Sequence, residues 1–515
     1  MSGPTELNSE REGEDAVFQA TGEFCGNDSA RVRRAVEGAR AVQSAWCARG
    51  IRSRLATIDT FRRFLSLEAL AVAEAAQFEG HPVEEILVAE LLPILEACRF
   101  LKRKAFGLLK PKPMNWMGAP WWLGRVSGEI RREAFGVVAV ISPSNYPLFL
   151  GAVHSLQALA AGNSVIWKPA PGCDAGASRL VGLAQRAGIP AGVWEVLPEA
   201  GCTGQLLVQE SLDKVVFTGG APAGKSVLSA LASRAVPAIV ELSGCDAVFV
   251  RADADLDLVV RALAFGLRFN RSRTCIAPRR VFVPRVLMVP LVVALRAWLK
   301  HTDRWELEDS HPQGTRVRGL LERALGAGAS LLEGGSRLLL PDVVLNASAK
   351  MELFREDIPM PLLGLFAVES DEEALALAAE CPLALGASVF TRDIAAGKRL
   401  AACIKAGCVT INDLIVPTAD PRVPFGGAAQ SGFGSTRGAE GLLEMTRVQV
   451  VQARSGTGAM HLSADSPSAG VIQNLITLSH PESFRAWLQA LAGLLRWGAR
   501  RRPETKLQHP VSLNP

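Results

Sequence analysis

V-V-F-T-G-G-A-P-A-G, from Val215 to Gly224, is an apolar run that breaks into a glycine-rich turn. It reads as a buried strand whose following turn leaves backbone N–H groups free to face a phosphate. V-E-L-S-G follows at Val240 to Gly244 and sets one carboxylate, Glu241, in an otherwise apolar stretch. F-N-R-S-R-T-C-I-A-P-R-R-V-F-V, from Phe269 to Val283, then places Cys275 among Arg271, Arg273, Arg279 and Arg280. Nearby cations lower a thiol pKa and raise its nucleophilic thiolate fraction, so these arginines are expected to activate Cys275. A desolvated Glu241 is expected to have a raised pKa, as a general base requires.

Working outward, strand and helix patterns alternate on both sides. Phe135 to Ile141, Ser164 to Trp167, Val193 to Leu197, Val215 to Phe217 and Ala238 to Leu242 read as strands. Leu148 to Ala161, Ser178 to Ala187, Gln205 to Gln209 and Gly224 to Leu231 read as the helices between them. Alternation of this kind implies βαβ units on a parallel sheet, hence an α/β fold. A second alternating block runs from Asp255 to Ile411, with strands at Arg279 to Val283, Ala387 to Phe390 and Val409 to Ile411.

The ends differ in character. Met1 to Asp15 is polar and acidic and reads as a disordered leader. Ala30 to Gln77 and Val83 to Leu101 carry helical periodicity, and Lys102 to Pro113 reads as a basic linker. Asn115 to Arg132 holds Trp116, Trp121 and Trp122 among glycines, an aromatic hairpin suited to a subunit contact. After Ala453 the composition turns to Ser, Gly and Ala, a linker. S-H-P-E from Ser479 then resembles a capping box before a helix with Phe484, Trp487, Leu488, Leu491 and Leu495 at helical spacing. Arg496, Arg500, Arg501 and Arg502 close it. That helix either packs on the body of the protein or rests on a membrane surface or a partner.

Bulk properties narrow the function classes. The chain has 515 residues, 49% of them hydrophobic and 21% charged, with a net charge of +5. Two or three domains are expected at this length. No basic stripe with interleaved aromatics points to nucleic acid. The ten cysteines include no C-x-x-C pair and no Cys/His cluster at metal spacing, which fits reduced thiols, no metal and a cytoplasmic location. Gly136 to Trp167 is apolar but holds Pro143, Asn145, Pro147, His154, Gln157 and Asn163, too many breaks and polar groups for a membrane span. The seven histidines are dispersed, which disfavours a Ser/His/Asp hydrolase.

Two further residues carry candidate chemistry. Asn145, in the turn S-P-S-N-Y-P, offers an amide N–H₂ to a developing oxyanion, or forms an Asx turn. Lys168, in W-K-P-A, ends a strand and can reach a cofactor hydroxyl or phosphate, or stand in solvent.

Taken in order, these motifs resemble the NAD(P)-dependent aldehyde dehydrogenase superfamily. S-P-S-N-Y-P is similar to its P-W-N-F-P turn and W-K-P-A to its K-P-S/A motif. F-T-G-G-A-P-A-G, E-L-S-G, N-R-S-R-T-C and P-F-G-G-A-A-Q-S-G-F-G (Pro424 to Gly434) resemble the next four family motifs. I-N-D (Ile411 to Asp413) and M-T-R-V (Met445 to Val448) also fall where expected. The likeness runs from about Val17 to Val451.

The resemblance implies an aldehyde-dehydrogenase-like fold: a Rossmann-type cofactor domain (16–117 and 136–246), an α/β catalytic domain (247–440), and a bridging segment (118–135 and 441–453) that pairs subunits as a homodimer or homotetramer. Residues 454–515 would lie outside it as linker and amphipathic helix. It implies that Cys275 attacks an aldehyde, that Asn145 and the Cys275 backbone N–H hold the oxyanion, and that Glu241 activates water. Ser142, Lys168, Pro171, Gly219, Gly220, Gly224, Asp357 and Phe425 would serve NAD or NADP. Asp357 stands where the family places a glutamate on the nicotinamide ribose, and Pro359 where it places an aromatic. Pro171 stands where NAD-preferring members often carry a glutamate, so NADP is expected to be accepted. Two rivals share the fold: a coenzyme-A-acylating relative, against which Glu241 argues, and a catalytically weak scaffold.

Overall fold

The computed structural model describes residues 25–77, 81–114, 119–123, 126–198, 202–306, 312–334, 338–455 and 467–500. The leader at residues 1–15, Trp116, and the linker centred on 456–466 lie outside them. The chain divides into two compact units.

The larger unit, 1–110 with 132–448, is built on two sheets. In the first, the order is Gly432–Phe433, Ala238–Glu241, Lys214–Thr218, Val137–Ile141, Ser164–Lys168, Trp194–Val196. The five longer strands are parallel, and Gly432–Phe433 pairs antiparallel with Glu241 and Val240 at one edge. Both faces are covered, so the strands are uninterrupted apolar runs, as a parallel sheet demands. The helix Phe149–Ala161 is buried along its whole length and ends where Gly162 adopts φ +102°. Trp167 and Trp194 stack from neighbouring strands with centroids 6.0 Å apart.

The second sheet has the order Ser330–Leu331, Asp342–Leu345, Leu362–Val368, Pro278–Pro284, Asp246–Val250, Gly386–Phe390, Cys408–Ile411. All pairings are parallel except that of Ser330–Leu331. Two of its helices begin at aspartate caps: Asp255 accepts from the Leu258 N–H at 3.2 Å and Asp393 from the Ala396 N–H at 2.9 Å. The chain crosses between sheets in four residues, Leu242 to Cys245, so Glu241 ends one sheet and Asp246 starts the other.

Several expectations change at the N-terminal side. The helical region resolves into Cys25–Ala48, Ile51–Leu67 and Ala69–Ala75. The stretch read as a linker from Lys102 is helical as far as Leu109, because Leu101, Ala105 and Leu109 continue the buried stripe of Leu92–Leu109. That helix is preceded by a π-helical turn, Leu87–Leu91, which turns Glu90 inward.

The smaller unit comprises 111–131 and 449–515. Lys112–Met114, Val126–Ala134 and Thr446–Arg454 form a three-stranded sheet, with the last strand at an edge. Beyond it, Ala469–Ser479 is a helix where a linker was expected, and Phe484–Arg500 packs against it. Ser479 therefore ends the first helix rather than capping the second. The Ser483 hydroxyl takes the capping role, accepting from the Ala486 N–H at 3.1 Å.

Candidate active site

The first sheet's strand order reverses between Val137–Ile141 and Lys214–Thr218. Open α/β sheets bind ligands beyond the carboxyl ends of strands at such a switch point. Here those ends deliver Pro143, Ser144 and Asn145 from one strand and Thr218, Gly219 and Gly220 from the other to a cavity of about 1200 Å³. The second sheet faces the same cavity with the amino ends of its strands. Arg271, Arg273 and Cys275 precede Pro278–Pro284, Asp357 to Pro361 precede Leu362–Val368, and Leu385 precedes Gly386–Phe390. Glu241 and Ser243, from the crossing, line it as well.

The segment before Cys275 is backbone-strained. Asn270, Arg271 and Ser272 all lie in the left-handed region, at φ 49°, 48° and 58°. For non-glycine residues this costs on the order of 1–2 kcal/mol each, so neighbours must hold them there. Glu85 accepts from the Asn270 N–H at 2.6 Å, and the Asn270 amide donates to the Asn145 carbonyl at 2.7 Å. Arg279 donates to the Ser272 hydroxyl and to the Met360 carbonyl, both at 2.8 Å. Under the loop, a Cβ on Gly244 would stand 2.4 Å from the Cys275 carbonyl oxygen, so only glycine lets the crossing pass beneath Cys275.

These contacts correct one expectation. Arg279 and Arg280 are buried and spend their guanidinium groups on carbonyl and hydroxyl oxygens. Burial, then the Glu241 and Asp246 carboxylates, push the Cys275 thiol above its ordinary pKa. The opposing cation is Arg437, far off in sequence. It is buried against Phe425, donates to the Thr418 carbonyl, and its backbone N–H donates to Gln157 at 3.2 Å.

Glu241 is 3% exposed, and burial raises its pKa. Thr218 donates to one carboxylate oxygen at 3.2 Å and Thr436 to the other, and with Arg437 they oppose that rise. Gly432, at φ +105°, brings the Thr436 segment close; a Cβ there would meet the Val240 carbonyl at 1.9 Å. Asn145 donates through Nδ2 to the Arg273 carbonyl at 2.8 Å, while its own Oδ1 is buried without a partner.

Of the residues expected to act together, Cys275, Glu241, Asn145, Gly219, Gly220, Asp357 and Phe425 line the one cavity. Ser142, Lys168, Pro171 and Gly224 do not. Ser142 is buried and accepts from the Trp167 indole at 2.8 Å. Lys168 is buried at its strand end, and Pro171 is exposed in the next turn. Gly224 lets its helix pack on the strand beside it, since a Cβ would stand 2.3 Å from Leu242 Cδ2. Sequence reasoning missed Thr436, Arg437, Glu85 and Glu90. The run S-T-R after Gly434 held the only signal, three polar residues continuing a glycine-rich motif.

The glycine turn suits a dinucleotide. Gly220 is the N-cap of Ala221–Ala232, and no side chain caps that helix end. Its first-turn N–H groups and positive dipole end therefore face the cavity wall for an anionic pyrophosphate. Among the described residues no cluster suited to a metal ion occurs.

Comparison with known proteins agrees. The family model described as the aldehyde dehydrogenase family matches residues 16–451. The chain is 32% identical over 374 residues to 4,4'-diapolycopene aldehyde oxidase of a Methylomonas species, covering 70% of each chain. It is similar, at TM-score 0.76 and 27% identity, to NADP-dependent glyceraldehyde-3-phosphate dehydrogenase from Bacillus halodurans in complex with NADP, covering 82% of this chain and 91% of that one. An aldehyde dehydrogenase from Mycobacterium tuberculosis in complex with NAD+ gives the same score and identity, covering 83% and 91%. This chain belongs to the aldehyde dehydrogenase family, and its reaction is the NAD(P)-dependent oxidation of an aldehyde.

Proposed function

We propose that Cys275 is the nucleophile, Asn145 the oxyanion donor and Glu241 the general base of an oxidation that ends in a free carboxylic acid. The observation that carries this reading is the convergence of all three on one cavity from opposite sheet ends. Glu241, with its raised pKa, takes the proton from a thiol that is itself not ionised at rest. The sulfur then bonds to the aldehyde carbon as a thiohemiacetal. The negative oxygen is met by the Asn145 amide and the Cys275 N–H. A nicotinamide cofactor held at the glycine turn would supply the acceptor for the hydride that leaves that carbon. Glu241 releases that first proton to solvent and then deprotonates a water that attacks the resulting thioester; the C–S bond breaks, the acid leaves, and the departing sulfur takes the proton back from Glu241.

Gly219 and Gly220 hold the pyrophosphate, Asp357 and Phe425 border the nicotinamide end, and Lys168 with Ser142, at the carboxyl ends of neighbouring strands, supports the adenosine end. Pro171 brings no carboxylate against a 2′-phosphate, so both NAD and NADP bind. Steady-state assays over a panel of aldehydes with each cofactor test the reading. Activity in the native chain and its loss in Cys275→Ala is expected; equal rates in both would overturn it.

The chain works as a homo-oligomer in the cytoplasm, paired through the open strand Thr446–Arg454, where Val448, Val450 and Val451 are exposed. Light scattering tests this, with a monomer as the contrary result. The C-terminal helix also supports contact with an anionic membrane surface. Phe484, Leu488 and Leu495 are exposed, and Arg485 and Arg496 stand exposed beside them. Two copies of such a face would bring like charges together, which favours a bilayer over a second chain. Flotation with phosphatidylglycerol vesicles, abolished by Phe484→Glu with Leu488→Glu, is expected. Equal flotation of both chains would refute the contact.

A further inference from the structure

Beneath the site, two thiols touch. Cys245 lies in the crossing between the sheets, and Cys381 follows the helix Asp371–Ala379. They are 1% and 8% exposed, both are free, and with Leu383 they form a small buried cluster. Within that cluster the two thiols act on each other, which lowers the pKa of Cys381 and raises that of Cys245. Arg280 clamps both segments: Nε donates to the Cys245 carbonyl at 2.9 Å, and a terminal nitrogen donates to the Ala378 carbonyl, also at 2.9 Å. The same Ala378 carbonyl accepts from the Cys381 N–H at 3.3 Å. The Arg280 guanidinium thus bonds to the backbone of both thiol-bearing segments, and its charge favours thiolate at both, Cys381 being the more accessible.

Neither thiol lines the cavity or takes part in aldehyde oxidation. We propose that Cys245 and Cys381 form a second reactive site, a dithiol that consumes a hydroperoxide and closes to a disulfide. The Cys381 thiolate attacks the terminal peroxide oxygen and the O–O bond breaks. The departing oxygen takes a proton and leaves as water or an alcohol, and Cys381 becomes a sulfenic acid. Cys245 then loses its proton, attacks the Cys381 sulfur and breaks the S–O bond, and hydroxide leaves with that proton as water. Two thiols lose two electrons and the hydroperoxide gains them.

The bond would join two walls of the aldehyde cavity. Ser243 and Leu385, near the two thiols in sequence, both line it. At present these segments are held by hydrogen bonds: Asp246 accepts from the Gly386 N–H at 3.1 Å, and the Ser431 hydroxyl donates to the Ser243 carbonyl at 2.7 Å. Because Gly244 lies against the Cys275 carbonyl, fixing this link restrains the nucleophile loop. Turnover is therefore expected to fall on closure and return on reduction.

The full chain is treated with hydrogen peroxide, free thiols are alkylated, and the unreduced digest is analysed by mass. A peptide linking residues 245 and 381 is expected in most chains, absent in Cys381→Ser and in Cys245→Ser. It is expected to form equally in Cys275→Ser, which separates it from oxidation of the nucleophile. Dithiothreitol should restore the lost turnover in the native chain, and Cys381→Ser should lose that recoverable fraction. The proposal is overturned if both thiols alkylate singly at a peroxide dose that oxidises Cys275. It is equally overturned if the linkage forms only in denaturant. The mass readout needs no turnover, so it stands or falls apart from the aldehyde reaction.

Discussion

The guanidinium of Arg437 stands 4.3 Å from the ring centroid of Phe425, a residue of the cavity wall. The adjacent Thr436 hydroxyl donates to Glu241. One short segment thus carries a hydrogen bond to the base and a buried positive charge that favours ionised Cys275 and Glu241.

Replacing Arg437 by methionine should leave both acids harder to ionise. Glu241 works in its ionised form, so the acid limb of the pH–rate profile should move to higher pH by roughly one unit. Arg437→Lys should restore most of the shift. A profile unmoved in Arg437→Met would show that the charge is without influence on the site.

Asn145→Ala removes the amide that faces the developing oxyanion. Loss of one such donor costs on the order of 10²–10³ in kcat. Cofactor affinity, measured by fluorescence titration, should be unchanged, since Asn145 touches the loop of Cys275 and not the glycine turn. A matching loss of cofactor affinity would place its role elsewhere.

Glu90 gives a stability test away from the chemistry. Buried beneath the helix Phe149–Ala161, it accepts from the Leu148 N–H at 2.6 Å and the Phe149 N–H at 3.1 Å. Burial pushes its pKa up from 4.5 to about 7. The folded chain therefore holds this proton at pH values where the unfolded chain has lost it. Stability from Glu90 is present in full below the unfolded pKa and is lost as pH rises through the folded one. The loss is about 3 kcal/mol between those two values. Glu90→Gln keeps an acceptor and removes the titration. Urea unfolding at about pH 5 and pH 8 should show less decline in the variant; equal declines would contradict it.

Much of this was legible in the sequence, for definite physical reasons. β-Branched runs such as Val137 to Ile141 mark strands buried on both faces, and the glycine turn marks the switch point within the first sheet. The motif order brought Asn145, Glu241 and Cys275 together before any coordinates. Charges next to the cysteine in sequence misled, because Arg279 and Arg280 lie in a strand and turn to carbonyls. The cation that faces the thiol arrives from Arg437, through an edge strand of two residues too short to show a period. The helix Ala469–Ser479 escaped notice because its first residues continue a run of Ser, Ala and Gly.

Cofactor choice follows from the turn after Ser164–Lys168. Pro171 is exposed there and carries no charge against a 2′-phosphate. Calorimetric titration should give NAD and NADP affinities within about tenfold, a difference of about 1.4 kcal/mol. Binding of NAD with no detectable NADP would refute the reading.

The most direct measurement follows reduced nicotinamide formation by Glu241→Gln in rapid mixing with aldehyde and NAD(P), paired with intact mass. About one equivalent of reduced nicotinamide per chain, formed more slowly than in the native chain because the thiol has lost its base, and then a still slower steady phase with an acyl group on Cys275, is expected. Steady turnover equal to the native chain, with no adduct on Cys275, would contradict the assignment of nucleophile and base.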